Sequence, residues 1–186
     1  MIIGLAGTFG SGKGTVVEYL KNKGFVQYSS SKLLGELVER EGNPKTRAYL
    51  SPMATRLQQE YPGGVVEKNY REKFLVENPH NAVFESIHRQ SEANFLRNVG
   101  GFIIGIDADL ESRYARTVLR NEGEKDRQGF EDFKKQIRIE EEGGGDHSRD
   151  NNIRAVINSA DAILFNNGTL EELHAQVDTV LARLGK

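Results

Sequence analysis

Lys13 sits in the run Gly7-Thr8-Phe9-Gly10-Ser11-Gly12-Lys13-Gly14-Thr15, where residue types and spacing both suit phosphate chemistry. Glycines at 7, 10 and 12 let the backbone turn tightly and aim its N–H groups inward. A helix opening at this point adds the partial positive charge of its N-terminus, and the lysine ammonium can reach the outer phosphates of a nucleotide. A strict Walker A motif carries Ser or Thr directly after the lysine. Here Gly14 intervenes and Thr15 follows. The predicted nucleotide-binding set is Gly7, Gly10, Ser11, Gly12, Lys13, Gly14 and Thr15, with Thr15 also a candidate Mg2+ ligand. A second candidate set is Arg113, Arg116 and Arg120, whose spacings of three and four put them on one helical face. Arg127 follows after a charged stretch. Phosphoryl transfer needs charge stabilisation of the equatorial oxygens more than covalent chemistry, and arginines supply it. A solvated face paired with Glu111, Glu122 and Glu124 is the plainer reading of the same cluster.

These residues need a scaffold, and the apolar runs provide one. Ile2–Ala6, Phe25–Tyr28, Ala82–Glu85, Phe102–Ile106 and Ala162–Phe165 read as five strands. They lack strict polar alternation, as befits strands covered on both faces of a parallel sheet. Helix-like stretches alternate with them, which predicts an α/β fold with right-handed crossovers. Val16, Val17 and Leu20 mark one helix stripe, with Gly24 as a left-handed stop. Leu33, Leu34, Leu37 and Val38 mark a second, stopped by Gly42. Asn43-Pro44 and Ser51-Pro52 each pair a cap with a first-turn proline, so residues 43–61 are expected to form two short helices. The last helix places Leu170, Leu173, Val177, Val180, Leu181 and Leu184 on one face.

The 186 residues fit a single domain, 1–186. Lys and Arg total 25 against 27 Asp and Glu, a formal charge of -2, so nucleic acid and acidic membrane surfaces are not expected partners. No apolar run approaches the roughly 18 residues that span a bilayer. The chain has no cysteine, which excludes thiol catalysis and disulfides. A cytoplasmic location is expected, since Met1-Ile2-Ile3-Gly4-Leu5-Ala6 lacks the length and basic start of a signal peptide. The oligomeric state is left open.

The Gly-Lys-Gly-Thr variant resembles nucleoside monophosphate kinases of the adenylate kinase type. The layout of the rest is similar to that P-loop superfamily, including dephospho-coenzyme A kinases. The resemblance covers nearly the whole chain, and its specific part is the phosphate loop. It implies a five-stranded parallel sheet of order 2-3-1-4-5, a helical acceptor-binding insertion at about 30–80 and a lid at about 120–150. It also implies ATP and Mg2+ as cofactors and a nucleotide-like small molecule as acceptor.

On the acceptor side, relatives carry Thr/Ser–Gly–Asp–x–x–Arg after the second strand, and its arginine holds the acceptor phosphate. This chain reads Ser29-Ser30-Ser31-Lys32-Leu33-Leu34-Gly35, with Gly35 where that arginine falls. Ser30, Lys32 and Arg56 are therefore the candidates for that task, although Arg56 reads equally well as a solvated helix arginine. At the third strand relatives read Asp–Gly–Ile–Arg, with a Glu four residues on. Here the run is Glu85-Ser86-Ile87-His88-Arg89, and Glu92 keeps the last spacing. Glu85, His88 and Arg89 are candidate acceptor ligands, and Glu85 a candidate Mg2+ ligand acting through water. His80, His147 and His174 show no ligand spacing.

On the donor side, the resemblance implies that lid arginines stabilise the transferring phosphoryl group. Arg120 and Arg127 are the preferred pair, with Arg116 next, beside Lys13. Asn166-Asn167-Gly168-Thr169 resembles the Asn–x–Gly–Ser/Thr loop that packs on the donor adenine, so Asn166, Gly168 and Thr169 join the nucleotide set. Thr169 is equally a helix cap. The expected function is phosphoryl transfer from ATP to a nucleoside monophosphate, because a phosphate acceptor needs no base and no acid precedes Glu36 after the second strand. The alternatives are a hydroxyl acceptor, as in dephospho-coenzyme A or nucleoside kinases, and a non-catalytic nucleotide-binding regulator.

Overall fold

A computed structural model describes residues 1–121, 127–142 and 152–185. Five strands, β1 (Ile2–Gly7), β2 (Val26–Ser29), β3 (Ala82–Glu85), β4 (Gly101–Asp107) and β5 (Ala162–Phe165), form one sheet of order β2-β3-β1-β4-β5. Every pairing is parallel. β1 lies in the middle, paired to β3 from Ile2↔Ala82 and to β4 from Ile2↔Gly101. The C-terminal ends of β1 and β3 therefore lie side by side, where open α/β sheets bind ligands.

The near-continuous apolar runs are explained by helices on both faces. On one face α1 (Lys13–Asn22) and α10 (Leu170–Leu184) bury Val16, Val17, Leu20, Leu173, Val177 and Val180 against Ile3, Leu5 and Ile104. On the other, α2 (Ser30–Arg40), α6 (Gln90–Asn98) and α9 (Ile153–Asn158) pack on Ala6, Phe84 and Ile103. α1 ends before Gly24 and α2 before Gly42, with φ of 86° and 77°, so both glycines act as left-handed stops.

Between β2 and β3 the chain is helical: α2, then α3 (Arg47–Glu60), α4 (Gly64–Asn69), a wide π turn at Tyr70–Phe74 and the short α5 (Leu75–Glu77). One expectation is corrected here. Residues 43–61 do not form two short helices; α3 runs unbroken through Pro52. The proline removes one backbone donor without stopping the helix. Met53 and Leu57, one helical turn apart, are buried, and that packing holds the helix past the lost hydrogen bond.

Beyond β4 come α7 (Leu110–Arg120) and α8 (Phe130–Glu142). Residues 122–126 and 143–150 of the expected lid, with Glu122, Glu124 and His147, lie outside the described residues. Among the described residues no helix is long and apolar enough to cross a membrane.

Candidate active site

The phosphate loop gets its shape from its glycines. Gly10 and Gly12 have φ of 79° and 96°, which L side chains rarely adopt. A Cβ on Gly10 would stand 2.6 Å from the Arg113 carbonyl oxygen, and one on Gly12 would stand 2.2 Å from Asn166 Nδ2. The loop is therefore pressed between α7 and the end of β5. Asn166 is buried there, and its Nδ2 donates to the Ser11 carbonyl at 2.9 Å. Within the loop, Lys13 Nζ donates to the Gly7 carbonyl at 3.5 Å. Gly14 has open space where a Cβ would be, so the departure from Walker A is not forced by crowding. Gly14 and Thr15 are exposed in the first turn of α1.

Above the loop opens a cleft of about 610 Å³. Gly7, Thr8, Phe9 and Lys13 form its floor, α2 and α3 one wall, the segment after β3 a second, and α8 a third. Buried polar atoms without partners collect beside it. Thr8 Oγ1, Ser11 Oγ, Arg113 Nη2 and Arg116 Nη1 are four of the six such side-chain atoms among the described residues; the other two belong to Asn69. Buried polar groups are normally satisfied, and these four are placed where water or a polar ligand would complete them. Hydroxyls, backbone amides, an ammonium and guanidiniums together fit the phosphates of a nucleotide.

The three α7 arginines do share a face, and that face meets the loop. Arg113 Nε donates to the Phe9 carbonyl at 2.9 Å, Arg116 Nη2 donates to the Asn166 carbonyl at 2.6 Å, and the Arg120 guanidinium lies 5.0 Å from the centre of the Phe9 ring. Arg127 is further out, its Nε donating to Asn121 Oδ1 at 2.9 Å. At the β5 end, Thr169 caps α10 by accepting from Glu172 N at 3.2 Å, and Glu172 returns the bond to Thr169 N at 2.8 Å. A Cβ on Gly168 would meet that carboxylate at 1.7 Å.

On the acceptor side the candidates separate. Ser30, His88 and Arg89 line the cleft. Lys32 does not; it is exposed on α2. Arg56 is also outside it, turned toward a small surface hollow where it pairs with Glu41. Gly35 has the stem of Lys45 over it, 3.1 Å from where a Cβ would be. Glu85 closes the end of β3, outside the cleft lining, and accepts from Gln27 Nε2 at 2.9 Å. The next residue, Ser86, is buried with φ of 65°. That left-handed backbone is the physical reason a glycine suits the position in the resembling kinases; this chain holds a serine there at a steric cost.

One cleft residue escaped the sequence reading, and two were seen in it without their setting. Arg47 lines the cleft from the first turn of α3 and is exposed; nothing in its local sequence marks it. Arg113 was visible as part of the α7 face, but its place under the loop was not. Glu92 showed in the spacing from His88. It is 3% exposed and accepts from His88 N at 2.9 Å and Arg89 N at 3.2 Å, closing the start of α6. Burial pushes its carboxyl up to about 7, against the opposing pull of those two N–H groups and of the Arg89 charge. Arg89 is itself buried and held by Gln58, its Nη1 donating to Oε1 at 3.0 Å.

Comparison with known proteins points the same way. The AAA domain family matches residues 3–142. A UPF0200 protein of Sulfurisphaera tokodaii is 29% identical over 184 residues, covering 98% of this chain and 97% of that protein. A dephospho-CoA kinase of Corynebacterium glutamicum is 26% identical over 209 residues, covering 98% of each. Among solved structures, TT1252 from Thermus thermophilus superposes with a TM-score of 0.64 at 22% identity, covering 99% of this chain and 97% of that one. Shikimate kinase from Aquifex aeolicus gives 0.54 at 16% identity, covering 100% and 98%. The two superpositions establish a shared fold.

Proposed function

The chain belongs to the AAA domain family, whose match spans residues 3–142, and from that premise we propose that it is an ATP- and Mg2+-dependent small-molecule kinase whose acceptor carries a phosphate, a nucleoside monophosphate first. The observation that carries this reading is the charge pattern of the cleft. Lys13, Arg47, Arg89 and Arg113 all line it, with the His88 imidazole among them. Only two carboxylates, Glu92 and Glu141, line it among the described residues, and both are engaged. Two backbone N–H groups hold Glu92, and Arg113 and Arg154 hold Glu141. A cationic wall without a spare base suits an acceptor that is already ionised.

In this reading the loop amides and Lys13 bind the triphosphate. Arg116, Arg120 and Arg127 gather the charge that develops on the transferring group. Asn166, Gly168 and Thr169 shape the base end. Thr15, exposed in the first turn of α1, would offer an oxygen to Mg2+, a chemistry that suits that hard cation, whereas Glu85 lies outside the cleft lining and would have to act through water. The metal, when bound, would offset the charge of the phosphate groups. Ser30, Arg47, His88 and Arg89 orient the acceptor.

Each nucleoside should be assayed beside its 5′-monophosphate, together with dephospho-coenzyme A, using ATP and Mg2+. Fastest turnover of a monophosphate is the expected result. Faster turnover of a nucleoside or of dephospho-coenzyme A than of every monophosphate would overturn the phosphate-acceptor claim. ATP binding without transfer to any acceptor would favour a nucleotide-binding regulator. The hydroxyl reading has its own support in the similarity to a dephospho-CoA kinase along nearly the whole chain. It needs a carboxylate to accept a proton, so loss of that activity in Glu85→Gln or in Glu92→Gln would name the base.

A further inference from the structure

One of the orphaned atoms beside the phosphate loop belongs to a charged group that the proposed mechanism has not yet used. Arg113 is 2% exposed. Its Nε and Nη1 are committed, to the Phe9 carbonyl at 2.9 Å and to Glu141 Oε1 at 2.8 Å. Its Nη2 is buried and has no hydrogen-bond partner. The side chain nevertheless lines the cleft, on the same floor as Gly7, Thr8 and Lys13. A guanidinium held this rigidly, with one donor left over in a low-dielectric setting, is arranged to complete itself with an anion from outside the chain.

The position indicates which anion. Gly10, Ser11 and Gly12, whose amides cradle the inner phosphates in a loop of this kind, do not line the cleft; Gly7, Thr8 and Phe9 do. Transfer requires the terminal phosphate to face the acceptor. It therefore lies between Lys13 and the wall of Ser86, His88 and Arg89, over the part of the loop that Arg113 supports. We propose that Arg113 reads the terminal phosphate, and so sets the preference of the site for a triphosphate over a diphosphate. The proposal rests on the reading of the cleft as an ATP site.

Glu141 is the counterweight. Its second oxygen accepts from Arg154 Nη2 at 3.0 Å, and Arg154 Nη1 donates onward to Asp107 Oδ2 at 2.5 Å. The α8 carboxylate thus balances the buried guanidinium while no phosphate is present, and it opposes an arriving phosphate by like charge. Removing its charge without changing its shape should make Arg113 a stronger phosphate ligand.

The test compares binding of a non-hydrolysable ATP analogue and of ADP, by calorimetry with Mg2+, in wild type, Arg113→Lys and Glu141→Gln. Melting temperatures without ligand are measured in parallel. Arg113→Lys should lose at least about tenfold in affinity for the triphosphate and under about threefold for ADP, the loss of one charge-assisted contact. Glu141→Gln should shift the triphosphate-to-diphosphate affinity ratio the other way. A merely structural brace would lower the melting temperature of both variants and leave that ratio unchanged, and this result would overturn the proposal. Where Arg113→Lys does not fold, Glu141→Gln alone decides, and an unchanged or lowered ratio overturns it. Wild-type protein that binds neither nucleotide defeats the ATP-site reading instead, and absence of turnover with every acceptor leaves the ratio test intact.

Discussion

The two ends of the cleft are made of different materials. At the phosphate-loop end the shape is set by backbone, with φ angles of 79° and 96° at Gly10 and Gly12, just outside the cleft lining, and contacts that leave no room for a Cβ. Asn166 pins the loop from beneath, and α7 presses on it from the side. At the end proposed for the acceptor the groups are side chains delivered from separate elements: Arg47 from α3, His88 and Arg89 from the segment after β3, with Glu92 tying that segment to α6. A backbone-built site loses function through one lost charge or one added methyl. A side-chain-built site divides its work, so single changes there should cost less and vary more with substrate.

The sharpest way to break that contrast is at Lys13. Lys13→Ala should fold normally and lower turnover by at least about 100-fold, the scale of one preorganised charge contact in a water-excluded site. Steady-state kinetics on a protein with unchanged circular dichroism and melting temperature would measure it. Turnover like wild type in that folded variant would remove the phosphate loop from the mechanism, and the nucleotide end would lose its claim to be the more sensitive half.

The same contrast explains what could be seen in the sequence. All five strands were legible as unbroken apolar runs, with observed bounds that differ by no more than a residue at an end, whereas the order 2-3-1-4-5 was implied by the family resemblance. The phosphate loop was legible because its chemistry demands glycines at fixed spacing. Pro52 misled because a proline reads locally as a helix boundary, whereas Met53 and Leu57 anchor α3 through long-range packing that no window of sequence reveals. The acceptor wall was only half legible. Arg47 and Arg56 look alike as helix arginines, and only the path of α3 past α2 turns one into the cleft and the other toward Glu41. Glu92 kept a family spacing, but its burial, and with it its chemistry, depends on where α4 and α6 meet.

Glu92 offers the next largest effect and tests whether the acceptor wall is a rigid unit. Burial raises its carboxyl from the ordinary 4.5 to about 7, so the folded chain keeps a proton that the unfolded chain has released. Between those two values the native state binds more protons, and stability must fall as pH rises through the window. One group sets a slope of at most about 1.4 kcal/mol per pH unit. The neighbouring charge is Arg89, which both proteins keep, so the comparison with Glu92→Gln isolates the carboxyl. Urea denaturation of wild type and Glu92→Gln across that range should show the difference between them changing with pH, with the variant gaining on wild type toward neutrality. A difference independent of pH would mean that Glu92 stays ionised in the fold, with the two N–H groups outweighing burial.

The smallest effect makes the finest distinction, and it lies within α3. Arg47 and Arg56 belong to one helix and are both exposed, yet only Arg47 lines the cleft. Arg56 is held by Glu41 and leans on Met53 Sδ at 3.0 Å, beside a separate hollow. If the acceptor is an anion held by the wall, Arg47→Ala should raise its KM by roughly tenfold and leave the KM for ATP nearly unchanged, the pattern of a lost binding contact outside the transition state. Arg56→Ala should move neither constant, since an exposed ion pair is largely screened by water and salt. Both variants remove one positive charge from the same helix, so a general electrostatic pull on a charged substrate would shift their KM values together and weaken with added salt. A rise in acceptor KM confined to Arg47→Ala would instead tie recognition to the cleft wall. Equal rises in the two variants would show that the acceptor end works by long-range charge alone, and an effect of Arg56→Ala greater than that of Arg47→Ala would move the acceptor out of the cleft altogether.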